Sequence, residues 1–161
     1  MRLRQALRAA ALPAALALTL LGSSVAAATE PTAAVTGATI VSGTGRIAAA
    51  GAGVVRVRGS FTISGAMNGG SLLVDGIDRT TAIRVTGWTS KTRVDADTLL
   101  YRGVRGTFTV AGRTIRVTIS SPQVRFVAYG TGAAYLRGVG VYRIDGGSSH
   151  AWPGAGAWVA L

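Results

Sequence analysis

Val57-Arg58-Gly59-Ser60-Phe61-Thr62-Ile63, Val104-Arg105-Gly106-Thr107-Phe108-Thr109-Val110 and Gly138-Val139-Gly140-Val141-Tyr142-Arg143-Ile144 are variants of one pattern. An apolar residue or glycine is followed, at every second position, by glycine, an aromatic and a β-branched residue. A period of two is the mark of a strand with one buried face. Each glycine shares the parity of the aromatic, so it falls on the core side in mid-strand. There it lets the strand bend, or lets a neighbouring ring lie over it. The pattern predicts a curved all-β sheet and specifies no chemistry.

The stretch around the first variant carries the alternation furthest. Val55, Val57, Gly59, Phe61 and Ile63 take one face, and Arg56, Arg58, Ser60, Thr62 and Ser64 the other. Parity that holds across Gly59 predicts one long bent strand. Ser71 to Val74 reads as a short strand, Thr80 to Gly87 as another, and the polar stretch Trp88 to Asp97 as a projecting loop. Thr98 to Ala111 reads as the second long strand, bulged near Gly103. Gly112-Arg113 suits a tight hairpin loop, with Thr114 to Ser120 pairing back. Ser121-Pro122 and Gly130-Thr131-Gly132 read as punctuation before the third long strand, Ala133 to Ile144. The expectation is all-β: an antiparallel β-sandwich or a rolled, barrel-like meander of about nine strands. A β-solenoid is the alternative; against an even coil, the pattern recurs at unequal intervals of 47 and 34 residues. An outer-membrane barrel is disfavoured, because one strand face is studded with arginine and aromatics are only 6% of the chain.

The first residues carry a different signal. Arg2, Arg4 and Arg8 precede an apolar run from Ala9 to Leu21, and small residues end at Ala26-Ala27-Ala28. This is the layout of a secretory signal peptide with a helical core, cleaved near Ala28, and it predicts a secreted, extracytoplasmic protein. The expected organisation is residues 1–28 signal peptide, 29–52 a loosely ordered N-terminal segment and 53–161 the all-β domain. The chain has no cysteine, which excludes disulfides, thiolate metal sites and a lipid-modified cysteine anchor. Export without disulfides points to a bacterial source.

Three of the 17 basic residues lie before Ala28; the 14 that remain face six acids, a net charge of +8. A basic exported protein is expected to meet polyanions such as anionic glycans or other envelope polymers. All but one of the basic residues are arginine, a bias that a GC-rich genome also produces. Arg56, Arg58, Arg84, Arg116 and Arg125 occupy the non-core parity of their strands. If those strands are neighbours, they form a polyanion-binding patch able to grip phosphate, sulfate or carboxylate bidentately. Trp88, beside the polar loop, is the candidate for stacking on a glycan ring, whereas Trp152 and Trp158 are expected to pack over the core.

Signals for catalysis are weak. His150 is the only histidine, in a Gly-Ser-rich loop without an orienting motif. Glu30 is the sole glutamate, and Asp75, Asp78, Asp95, Asp97 and Asp145 read as turn residues. Asp95-Ala96-Asp97 supplies too few ligands for a calcium cage. Gly43-Thr44-Gly45-Arg46-Ile47-Ala48 matches a dinucleotide fingerprint only in its glycines, lacking the following helix and the later acid. No catalytic, cofactor or metal residues are assigned, no specific nucleic acid is expected as partner, and no transmembrane span is expected after cleavage.

The Leu136 to Gly146 run, Leu-Arg-Gly-x-Gly-x-Tyr-x-Ile-x-Gly, with its two cousins, resembles short exported Gly/Arg-rich β proteins of high-GC bacteria, a group of no known function. The resemblance implies the fold and export and supplies no activity. The expectation is therefore a non-enzymatic exported β-domain that binds anionic polymers of the cell envelope through an arginine-rich sheet face. The alternatives are a structural, self-assembling β protein and, more remotely, a hydrolase.

Overall fold

The structure, a computed structural model, describes residues 41–161; the signal-peptide expectation falls outside them. Eight strands are formed, β1 (Gly43–Asn68), β2 (Ser71–Asp75), β3 (Ala82–Val85), β4 (Ser90–Arg93), β5 (Leu99–Arg102), β6 (Arg105–Ile144), β7 (His150–Ala151) and β8 (Ala157–Ala160). All pairings are antiparallel, the sheet is not closed, and there is no helix among the described residues. Two strands are exceptional: β1 has 26 residues and β6 has 40.

The register explains their length. Ile47 pairs with Ile144, Met67 with Val124, Ser71 with Ser120 and Asp75 with Arg116. Ala82 then pairs with Ala111, and Ser90 with Arg102. Residues 43–93 and 99–144 are thus the two arms of one long β-hairpin. Its tip closes where the Val94 amide donates to the Thr98 carbonyl at 3.0 Å. The projecting loop expected over Trp88 to Asp97 is this tip, with β4 as part of the first arm.

The hairpin also pairs with itself. Gly132 faces Gly59 across one edge and Gly43 across the other, 16 residues apart; Val117 likewise faces Val57 and Val74, 17 apart. Seventeen extended residues have a contour of about 56 Å, yet two strand spacings separate their ends by only about 10 Å. The first arm must therefore circle round and return beside itself. The domain is a hairpin wound into a coil, and its core is the inside of the winding.

Alternation is what allows the winding. Along β1 every inward position has the same parity: Ile47, Ala49, Val55, Val57, Phe61, Ile63 and Met67 are all buried. Where the strand turns sharply, the inward residue is glycine and its partner across the ladder is too. Gly53 faces Gly138, and Gly59 faces Gly132. Gly53, Gly59 and Gly138 have φ of +138°, +133° and +132°, a region closed to other residues. A Cβ on Gly59 would collide with the Thr131 carbonyl oxygen, because nothing fits inside so tight a corner. Gly65 serves the other purpose as well: the ring of Phe108 lies where its side chain would be, beside the Arg125 carbonyl and the Cβ of Phe126.

Two β-bulges adjust the second arm. Phe61 pairs with Gly112 but Gly59 with Ile115, and Gly53 pairs with Ser121 but Gly51 with Val124. Each step places two residues of β6 against one of β1, at Arg113-Thr114 and Pro122-Gln123, and shifts the buried parity to match. Thr114 adopts φ +52° at the first. The hairpin loop expected at Gly112-Arg113 is this bulge, and the punctuation expected at 121–122 and 130–132 marks corners within a continuous strand. Near Gly103 the register is unchanged on the side of β1 and β2, since Ser71 pairs with Arg102 and Asn68 with Arg105, but on the side of β3 and β4 it shifts: Val85 pairs with Phe108 and Ser90 with Arg102, so six steps of the second arm face five of the first. Gly103, with φ +62°, kinks the chain between β5 and β6, and the expected bulge is present on that outer ladder alone. The β unit also begins by Gly43, ten residues before the expected boundary at 53.

The C-terminal segment covers the outer edge of the second arm. β7 pairs with Val141 and Tyr142, and β8 with Ala133 to Leu136. Between them Trp152 is buried against Gly51 and Gly140, its Nε1 donating to the Val141 carbonyl at 3.1 Å.

Candidate polyanion-binding face

A coil has two broad outer faces, and each arm crosses both in turn. One face carries β8, residues 133–137 and 115–120 of β6, residues 54–58 of β1, and β2, β5 and β4. The other carries residues 140–144, 124–128 and 106–111 of β6, residues 47–51 and 62–67 of β1, and β3.

Three of the five arginines singled out from the sequence share the first face. Arg58 and Arg116 are direct cross-strand partners, and Arg56 pairs with Thr118 and Tyr135. Two like charges opposite one another are unfavourable on a sheet. Both are compensated by neighbours. Arg116 Nη1 lies 3.1 Å from Asp75 Oδ2. The Arg58 guanidinium lies over the Trp158 ring, 4.1 Å from its centroid. Arg56 lies 5.7 Å from the Tyr135 centroid, and Tyr135 and Trp158 are themselves 5.5 Å apart. A cation over an aromatic face contributes about 0.5–2 kcal/mol. Its larger effect here is to anchor the Arg58 head group at this point of the face.

The Arg116–Asp75 pair is solvent-accessible, with side chains 59% and 34% exposed. Exposed pairs contribute about 0–1 kcal/mol, so Arg116 exchanges partners readily. Between Arg58, Arg116 and Asp75 opens a cleft of about 410 Å³, floored by Gly59 and Gly76 and lined with the hydroxyl-bearing Ser60, Thr114 and Thr131.

Arg84 and Arg125 are on the other face, three strands and about 15 Å apart. Arg125 borders a shallow groove of about 520 Å³ floored by Ala48, Ala50, Ser64 and Ala66. The five arginines are exposed or half-exposed, as their parity requires, but they do not form one patch. Trp88, 44% exposed, sits edge-on to Tyr101 at the tip end of the coil. It lies beyond β2 and β5 from Arg116 and does not join the cluster. Trp152 packs as expected; Trp158 instead lies on the outer face with Arg58. Tyr135 and Trp158 join the site through the pairing of β8 with β6, which no local pattern in the sequence shows.

The remaining polar candidates are accounted for locally. His150 stacks on Tyr142, 5.3 Å between centroids. Asp78 Oδ1 accepts the Thr80 amide and the hydroxyls of Thr80 and Thr81, each at 2.8 Å. These bonds, that of Thr81 foremost, hold its carboxyl below the usual range. The Asp95 carboxyl is likewise lowered, first by the Thr98 hydroxyl. Asp145 accepts the Arg46 amide at 2.7 Å. Asp75, expected in a turn, ends β2 and faces Arg116. No group of three metal-ligating side chains occurs among the described residues.

A scan against protein-family models found no matching model, and searches of curated proteins and of solved structures found no match.

Proposed function

We propose that this protein is a non-catalytic domain acting outside the cytoplasm after cleavage near Ala28, where it binds anionic polymers of the cell envelope. The observation that carries the reading is the Arg58–Arg116 pair, joined by Arg56 on one face and held in orientation by Trp158 and Tyr135. The planar guanidinium matches carboxylate, sulfate and phosphate oxygens bidentately, and an anchored one does so at less cost in side-chain freedom. The site is thus narrower than the five arginines of the sequence pattern: Arg84, Arg125 and Trp88 fall outside it. In this reading the wound hairpin is the rolled meander, flattened so that one broad face is offered to an extended polymer.

The test is binding to immobilised heparin across a salt series. Replacing Arg56, Arg58 and Arg116 together with serine is expected to abolish retention at moderate salt, while replacing Arg84 and Arg125 leaves most of it. Equal loss from the two sets would reject the face as the site. The self-assembling alternative uses the opposite face, where Val139 is 80% exposed beside the alanine-floored groove. It expects oligomers that persist in high salt, read by light scattering.

A further inference from the structure

The cleft between Arg58 and Arg116 contains a group that a simple phosphate or sulfate site does not need. Asp75 lines it, with Oδ2 on Arg116 and Oδ1 accepting the Thr98 hydroxyl at 3.3 Å. A carboxylate beside two arginines weakens the field that a polyphosphate would feel, and it repels that ligand's oxygens. An ionised carboxyl can only accept hydrogen bonds. It is useful to a ligand that presents hydroxyl donors next to its negative charge. Ser60, Thr114 and Thr131, which line the same cleft, donate or accept as required. The volume of about 410 Å³ lies within the ordinary range of small-molecule sites, about 300–1,000 Å³.

We propose that this cleft recognises one sugar-acid residue of an acidic polysaccharide: its carboxylate bridges Arg58 and Arg116, and its ring hydroxyls donate to Asp75. This rests on the reading of the face as an anion binder and names the ligand class. Trp158 packs on Arg58 and does not line the cleft, so the ring of the sugar meets guanidinium and hydroxyl groups, not an open indole face. A polymer that carries acceptors only, such as polyphosphate or a nucleic-acid backbone, satisfies the arginines and leaves Asp75 opposed.

Calorimetric titration with oligogalacturonate and with polyphosphate of matched charge tests the assignment. The protein is expected to bind oligogalacturonate about tenfold more tightly, the ratio one charged hydrogen bond supplies. Asp75→Asn is expected to weaken oligogalacturonate several-fold and to strengthen polyphosphate. The asparagine Oδ1 still accepts from Thr98, which preserves the local fold. If Asp75→Asn strengthens both ligands, or if polyphosphate matches oligogalacturonate in the unaltered protein, the cleft reads charge alone and the proposal fails. A second arm needs no variant: oligogalacturonate with acetylated hydroxyls keeps its carboxylates and should bind no better than polyphosphate. Unchanged affinity on acetylation overturns the proposal. Failure of the underlying reading is distinct, since neither polymer would then bind, or Arg58→Ser with Arg116→Ser would leave both affinities unchanged.

Discussion

The two outer faces of the coil are made by the same two arms, through their outward-pointing residues, and they arrange their cations differently. One gathers Arg56, Arg58 and Arg116 with Tyr135 and Trp158; the other holds Arg84 and Arg125 apart, with Ala48, Ala50 and Ala66 lining a groove and Val139 and Val141 exposed at its border. Alternation decides only whether a side chain points in or out. Which face an outward residue joins depends on how far along the winding it lies. A turn of 16 or 17 residues, bent at glycine corners, places Arg58 beside Arg116 and sends Arg125 to the opposite side.

The comparison breaks most completely where both faces share support. Phe108 is fully buried, lies over Gly65 and belongs to the one core cluster behind both faces. Phe108→Ala is expected to cost about 3–5 kcal/mol in chemical denaturation, and both faces should be lost in a single transition. Two separate transitions would mean that the faces are independently stable. Next is the corner that joins them. Gly59→Val places a branched side chain against the Thr131 carbonyl at a φ of +133°, and a loss of about 3 kcal/mol is expected. A variant as stable as the parent would show that the corner tolerates a side chain.

Binding experiments sharpen the difference between the faces. Replacing Arg56, Arg58 and Arg116 with serine removes three cations from one face, and the salt dependence of polyanion binding should flatten by a slope of about two to three. The Arg84 and Arg125 double variant should change it far less. Trp158→Ala frees Arg58 without altering net charge, and a several-fold drop in affinity is expected, about 1 kcal/mol, with the salt slope unchanged. A changed slope would mean that Trp158 acts on charge and not on orientation.

The smallest effect belongs to neither face. The Asp78 carboxyl is lowered below its ordinary value of 3.8 by Thr81 and Thr80 in the loop between β2 and β3. A group whose pKa is depressed on folding adds stability above its unfolded pKa and loses it as pH falls through the folded value. Thermal melts of Asp78→Asn and the parent should therefore differ slightly at neutral pH and converge as pH drops below about 4. A gap that persists at low pH would place the effect in packing of the loop.

Much of the interior was legible in the sequence, because burial follows parity and parity is local. The alternation from Val55 to Ile63 reads directly as one bent strand, and the inward glycines read as points of bending or of ring contact. The hairpin itself was not legible. Gly112-Arg113 looks like a chain reversal, yet Ile115 packs against the inward Gly112 and the strand runs on through a bulge. Bulge and two-residue turn share their residue preferences, and only the partner strand separates them. The cation cluster was half legible for the same reason. Arg56 and Arg58 are two residues apart on one strand, but Arg116, Asp75, Tyr135 and Trp158 reach them through three different ladders.

A wound hairpin also dictates a folding history. Among the described residues only two reversals between directly paired strands are local, the tip at 94–98 and the turn at 145–149 before β7. Every ladder between β1 and β6 closes a loop of dozens of residues, and chains ruled by such remote contacts fold in milliseconds to seconds, not microseconds. Pairing can zip outward from the tip, but the second set of ladders forms only when a full revolution has been laid down. The arginine cluster draws on residues 56–58, 75, 116, 135 and 158, so it is complete only after β8 has been added to β6 at the far end from the tip.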